Sequence, residues 1–551
     1  MQLGISKSVS KKQKESALIM RKQTKIAAVV SAAALLALGA SMTSFAASKG
    51  TWMMVDGEWY CYDKNGDAYT NVFCSSNGKE YYVGDDGQLV RSEWVEYDGN
   101  YYFVNSSGAK ITNDWRLTTP YDDESADEEW YYFKSNGKRA ENEKITYKGK
   151  SYYFDTDGIM LTGWVNTGDG TSAVNEATGY ESGRTFYCDE TGARVEGAWV
   201  KDVEPGTDDD DADADEYWYY LKKATGKPAT GKQSNINGQI YLFNGVGQMQ
   251  SGWVAASTDS NTKFFQLDKE DEEEKMSVAE SDVYYCGDED DGHAKKNKWV
   301  KTWLPDDTDE EEDDKEWFWF DKEGKLFRAG YKTAAAETAS NAIKYKLDEG
   351  TLVQDDDKGA ALIGKKKVNS KDYWFRNDGV MLSKFYQING AMYYFGGADD
   401  GSMKTGSQSI KDNTGDTYKF YFYTKDQDST KYQTPDGQKL KKGAGVTGNQ
   451  SNKLYYYGLL LTADDYKYQV ATVENHDFII NSNGSIQHSF GTTYKEDGDT
   501  LITVAEKTAG AKYDEEGQYK YGFTAGVSSN VSDVDLNAFY KAPTTTTFTL
   551  K

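Results

Sequence analysis

Pairs and triplets of aromatic residues, punctuated by glycines, recur about every twenty residues along most of this chain, and a short fixed period means small stacked units instead of one large core. In Gly99-Asn100-Tyr101-Tyr102-Phe103 and Gly149-Lys150-Ser151-Tyr152-Tyr153-Phe154 an aromatic run follows one Gly and is closed by another, Gly108 and Gly158. The run Trp94-Val95-Glu96, the turn Asp98-Gly99 and the strand Tyr101-Tyr102-Phe103-Val104 together spell a β-hairpin. Asp-Gly and Asn-Gly suit two-residue hairpin turns because both central positions need positive φ. They recur at Asn65-Gly66, Asn77-Gly78, Asp86-Gly87, Asp157-Gly158, Asn237-Gly238, Asp378-Gly379, Asn389-Gly390, Asp400-Gly401, Asp436-Gly437 and Asn483-Gly484. A lone hairpin is marginal in water, so the units must stack to bury their aromatic faces. The expected fold is all-β, an elongated solenoid of stacked β-hairpin repeats of about 20 residues each, with contacts between neighbours only.

The N-terminus reads differently. Arg21, Lys22 and Lys25 precede an apolar run at 26–38 and the small residues Ser44-Phe45-Ala46-Ala47, the pattern of a secretory signal peptide cut after Ala46, with Met20 as an alternative start. The run is too short to span a bilayer comfortably, so no membrane span is expected after processing. The organisation expected is a signal peptide at 1–46, hairpin repeats at 47–407, and divergent repeats with a C-terminal cap at 408–551. A short helical excursion at 334–342 is the one expected departure from strand. The end of the chain, 544–551, has neither a hydrophobic tail nor a sorting signal, so surface attachment is expected to be non-covalent.

A formal net charge of −26 argues against nucleic acid or an anionic membrane as partner, since both select Lys/Arg-rich faces. Acidic insertions at 121–129, 207–216, 268–274 and 306–316 read as solvated loops, with calcium binding as the alternative. Three of them separate a first-strand Trp, taken as Trp115, Trp199 and Trp303, from the next aromatic strand. Cys188 and Cys286 fall in the slot that Phe154 fills in its own repeat; with Cys61 and Cys74 they read as buried free thiols rather than a disulfide framework. The only histidines are His293, His476 and His488, and no HExxH, GxSxG or Cys/His set accompanies them. No catalytic residue, metal site or cofactor is expected.

The first-strand Trp, the Gly, the aromatic strand of the WYYF kind and the closing Gly resemble the cell-wall-binding repeats of Gram-positive surface proteins, the choline-binding and glucan-binding superfamily. The resemblance covers most of residues 50–407. It implies a ligand site between consecutive hairpins, made of the first-strand Trp, the leading aromatic of the second strand and the third aromatic of the next unit. Carried over residue by residue, it gives Trp52, Trp59 and Tyr82; Trp94, Tyr101 and Tyr132; and Trp115, Trp130 and Tyr153. A fourth set, Trp253, Phe264 and Tyr285, has an unclear register. Thr185 after Trp164, and Leu242 facing Trp199 and Trp218, break the pattern, so those junctions are expected to be structural only.

The partner implied is a cell-wall polymer, a choline-bearing teichoic acid or a glucan, and the chain is expected at the cell surface as a secreted, non-catalytic binding protein. An α-glucan-binding or host-facing adhesin, and a wall hydrolase with its site after 408, are the alternatives. Ring faces attract a quaternary ammonium by roughly 0.5 to 2 kcal/mol each, so one cage is weak. Several cages on one array gain about 10² to 10⁴ by avidity.

Overall fold

The computed structural model describes residues 50–504, apart from 169–172, 208–212, 258–262, 268–280, 306–314, 332–336, 340–341, 356–361, 429–438, 464–466, 474–475, 488–491 and 496–500, together with Val527–Ser528. The expected signal peptide, the insertion at 268–274 and Asp436-Gly437 lie outside the described residues. The chain divides into two compact units, 1–140 and 141–551. Among the described residues every regular element is a strand.

In the first unit four antiparallel hairpins follow one another: Thr51–Val55 with Glu58–Tyr62, Val72–Ser76 with Lys79–Val83, Glu93–Tyr97 with Asn100–Val104, and Asp114–Thr118 with Glu129–Phe133. The second unit continues in the same way, from Glu143–Tyr147 with Lys150–Phe154 to Lys298–Thr302 with Glu316–Phe320. Register places Trp299, not Trp303, opposite Trp319 in this last hairpin, so Trp299 is the counterpart of Trp115 and Trp199, and Trp303 lies just past the strand.

Two kinds of turn alternate along the chain, and the Asp-Gly and Asn-Gly dipeptides serve both. At Asn77-Gly78, Asp98-Gly99, Asn237-Gly238 and Asn389-Gly390 both residues have positive φ, the two-residue geometry that matches strand twist. At Asp157-Gly158 and Asn483-Gly484 only the Gly does, and the dipeptide belongs to the connector between hairpins. There an Asp or Asn at the end of the second strand caps the turn with its side chain: Asp155 Oδ1 accepts from the backbone N–H of Asp157 at 3.0 Å and of Ile159 at 2.8 Å. Asn105, Asp189, Asn244 and Asp321 do the same in their own connectors.

Each hairpin has two faces. The first-strand Trp shares one face with the leading and third residues of the second strand, while the second and fourth residues point the other way, as strand alternation requires. That second face packs on the Trp of the preceding hairpin: Trp94 lies 4.8 Å from Tyr131 and 5.6 Å from Phe133, centroid to centroid. Tyr131 and Phe133 are both fully buried. The fourth slot is the stack's anchor, since Val83, Phe133, Leu221, Phe243, Phe320 and Phe375 are all 0% exposed. Cys188 and Cys286 occupy the same slot as free buried thiols; burial pushes the Cys188 thiol up to about 12.

Past Phe320 the hairpins merge into wider sheets. The strand Ala342–Asp348 centres a four-stranded sheet and Glu337–Ala339 pairs with Ile363–Val368, where the sequence suggested a helical excursion. Alanine is the best helix former, but propensity is readily overridden by tertiary pairing, and here the strand buries Tyr345 and Leu347 on one face. A single core then runs from Ala342 through Phe385, Phe420 and Tyr457 to Ile486. No helix among the described residues is long and apolar enough to cross a membrane.

Candidate functional site

The same ring pair recurs at six junctions: a first-strand Trp against the second aromatic of the next hairpin. Centroid separations are 5.7 Å for Trp52–Tyr81, 4.8 Å for Trp94–Tyr131, 4.7 Å for Trp164–Tyr219, 4.8 Å for Trp199–Tyr241, 4.9 Å for Trp253–Phe318 and 4.8 Å for Trp299–Tyr373. The pair is thus part of the stacking framework, and what surrounds it decides whether a ligand can reach it.

At three junctions the indole N–H is tied to a backbone carbonyl. Trp94 Nε1 donates to Thr119 O at 2.9 Å, Trp164 Nε1 to Val203 O at 3.0 Å and Trp253 Nε1 to Trp303 O at 2.8 Å. Each carbonyl comes from the start of the long loop of the next hairpin, so each of these acidic insertions begins with a bond to the edge of the Trp behind it. Trp164 and Trp253 are buried, and their leading slots hold Thr185 and Val283 in place of a ring.

Trp199 and Trp299 stand differently. Trp218 lies 6.4 Å from Trp199, and Trp317 lies 6.5 Å from Trp299, each pair nearly perpendicular. With Tyr241 and Tyr373 these make three-ring cages, and Met249 and Met381 supply a fourth wall. The methionines are placed by backbone bonds, Met249 N to Trp218 O at 2.8 Å and Met381 N to Trp317 O at 2.9 Å. Both lie two residues beyond a connector glycine, Gly247 and Gly379.

The rims match as well. A lengthened connector from the hairpin after next, Asp290-Asp291-Gly292 in one case and Asp399-Asp400-Gly401 in the other, presents a carboxylate to the cage edge. Asp399 accepts from Trp317 Nε1 at 3.0 Å and Lys301 Nζ at 2.9 Å. Asp290 lies 3.5 Å from Trp218 Nε1 and 4.0 Å from Lys201 Nζ. The hydrogen bond from Lys301, then that from Trp317, holds the Asp399 carboxyl below the usual range. Burial works to raise the neighbouring Asp400, and hydrogen bonds from Lys404 and Ser402 outweigh it.

A family model for the choline-binding class of cell wall binding repeat matches residues 92–110, 125–138, 145–160 and 366–381. Those four segments carry cell wall binding repeats. Among solved structures, these repeats are similar to CbpJ of Streptococcus pneumoniae, with 19% identity over 62% of this chain and 98% of that one and a TM-score of 0.33. They are similar too to choline binding protein F of the same organism, with 18% identity over 71% and 98% and a TM-score of 0.31. The modular autolysin LytC of Streptococcus pneumoniae shows 16% identity over 60% of this chain and a TM-score of 0.32. The chain spans about half of that autolysin, 52% of its length. No curated protein sequence matches the chain.

Within these repeats the residues expected to form cages are distributed as follows. Trp52 meets Tyr81, while Tyr82 packs at 5.1 Å on Phe73 of its own hairpin. Trp59 lies on the Trp52 face, diagonal to it, because Trp52 pairs with Cys61 and Met54 with Trp59. Trp94 meets Tyr131 where Tyr132 was expected, and Tyr132 turns back onto Trp115 at 5.0 Å and donates to Asn113 Oδ1 at 2.7 Å. Trp115 and Trp130 keep the diagonal ring contact, at 6.5 Å, in the first unit. Tyr153 belongs to the second unit, where it is buried, stacked 5.7 Å from Phe186, and accepts from Arg194. Of the set with an unclear register, Trp253 pairs with Tyr285 across its own hairpin and Phe264 is buried against Tyr284.

The expectation placed the third ring one residue late. Hairpin n+1 turns its second and fourth positions toward hairpin n, so Tyr241, beside Leu242, completes the Trp199 and Trp218 cage that the sequence assigned a structural role. The methionines were the missed signal: Gly247-Gln248-Met249 and Gly379-Val380-Met381 repeat the same spacing after the connector glycine.

Proposed function

We propose that these repeats hold the chain non-covalently on the cell wall by admitting a quaternary ammonium, choline on a wall polymer, into the cages at Trp199, Trp218, Tyr241 and Met249 and at Trp299, Trp317, Tyr373 and Met381. The observation that carries this reading is their likeness in every wall: the same residue types, a first Trp to Tyr distance of 4.8 Å in both, and a rim carboxylate in both. A quaternary ammonium offers no N–H, so ring faces and a nearby carboxylate are the groups that favour it over water. Trp52, Trp59 and Tyr81, with Leu89 as apolar wall, form a third candidate of the same kind; Leu89 N donates to Trp59 O at 2.9 Å.

Three rings supply on the order of 2 to 5 kcal/mol, at or weaker than millimolar binding. Two or three such sites on one chain engage a polymer with repeated ligands far more tightly than one. The role is binding without catalysis, for a secreted protein at the cell surface. The experiment is retention of the full chain on a quaternary-amine resin and its elution with free choline. Release by choline, and loss of retention in a Trp218→Ala, Trp317→Ala double variant, are the expected results; retention on dextran with no response to choline would replace choline by a glucan.

A further inference from the structure

Some junctions in this chain already contain a cation, and it belongs to the protein. The guanidinium carbon of Arg139 lies 4.4 Å from the Tyr101 ring centroid and 5.7 Å from that of Trp94. Arg139 is 8% exposed. Its backbone N–H donates to Tyr101 O at 2.9 Å, the same bond that places Met249 beside Trp218 and Met381 beside Trp317. Arg139 stands two residues beyond its connector glycine, Gly137, so it occupies the methionine position of the cages.

The preceding junction repeats the arrangement with a lysine. Lys110, two residues beyond Gly108, places its ammonium 4.9 Å from the Phe73 centroid and 5.3 Å from that of Tyr102, in an ion pair with Glu80, the residue in the leading slot. Its backbone N–H donates to Glu80 O at 2.8 Å.

We infer that, at junctions whose ring set is complete, the residue two positions after the connector glycine decides whether an external cation is accepted: methionine or leucine brings no charge of its own to that position, while arginine or lysine fills the cage with the chain's own charge. This inference rests on the reading of the methionine junctions as ammonium cages. It assigns Arg139 as a built-in occupant of an otherwise complete site, since Trp94 and Tyr131 stand at the 4.8 Å seen at both proposed cages and Tyr101 fills the leading slot. Tyr121, 4.8 Å from Tyr101, adds a further ring at its edge. The physical reason is direct: an ammonium cannot share a ring face with a guanidinium already on it without charge repulsion.

The test is equilibrium dialysis of the full chain with radiolabelled choline chloride, comparing wild type, Arg139→Met and Met381→Arg, with circular dichroism to establish that each is folded. Arg139→Met should bind one choline more per chain than wild type, and Met381→Arg one fewer. A folded Arg139→Met that binds no more choline than wild type overturns the inference, whatever the wild type binds. Should Arg139→Met fail to fold, undiminished stoichiometry in Met381→Arg overturns it instead. A wild type that binds no choline sinks the proposed function, whereas a wild type that binds choline with no gain in folded Arg139→Met overturns this inference alone.

Discussion

The junctions at Trp94 and Trp299 hold the same ring pair at the same 4.8 Å separation, yet they differ in what closes them. At Trp94 the indole N–H is bonded to Thr119 O, Tyr131 is fully buried and Arg139 lies on the rings. At Trp299 the leading Trp317 is tied by its edge to Asp399 and an apolar Met381 takes the place of the arginine. The comparison teaches that aromatic density is the price of stacking hairpins, common to both, and that selectivity lies in the few non-aromatic residues around each pair.

The largest expected effect separates the framework from the site. Tyr131→Ala should cost about 3 to 5 kcal/mol in denaturant unfolding of the full chain, as for other fully buried aromatics, whereas half-buried Tyr241→Ala should cost less and show its main loss in choline uptake. Equal losses of stability with no loss of uptake would break the comparison. Next in size, Trp218→Ala should weaken choline binding at its cage about 2- to 30-fold, the worth of one ring face, while Trp164→Ala should lower stability and leave choline stoichiometry unchanged.

A smaller effect follows from acid. Hydrogen bonds from Lys301 and Trp317 hold the Asp399 carboxyl below its ordinary 3.8, so the rim tie is complete at and above that pH and is lost as pH falls through the lower folded value. Tryptophan fluorescence of wild type and Trp317→Phe, titrated from neutral pH downward, should diverge in slope only below about pH 4; divergence at neutral pH would contradict the assignment. Smallest of all, Arg91→Ala removes an exposed pair with Glu58 at 3.0 Å and should change stability by no more than about 1 kcal/mol and choline stoichiometry not at all.

Much of the hairpin grammar was legible because each strand's alternation and each positive-φ turn is a local property, as at Asp98-Gly99 and Tyr101-Tyr102-Phe103. The facing of one hairpin on the next is not local. Nothing within Trp130-Tyr131-Tyr132-Phe133 tells which alternate set turns toward Trp94, and choosing Tyr132 over Tyr131 moved the third wall of each cage by one residue. The double use of Asp-Gly was hidden for a related reason: whether Asp157-Gly158 closes a hairpin or joins two depends on the pairing of Phe154 with Met160 beyond it. Trp299 and Trp303 both precede the same insertion, and only the pairing of Trp299 with Trp319 distinguishes them.

The walls around Trp299 come from three hairpins: Trp299 and Trp317 from one, Tyr373 and Met381 from a second, Asp399 from the turn after a third. Copying a single repeat within the gene therefore cannot transmit a working pocket, because the copy arrives without the neighbours that complete it. Gains and losses of attachment points in such a protein must proceed by blocks of at least three repeats, or by point changes at the position that Met381 and Arg139 share.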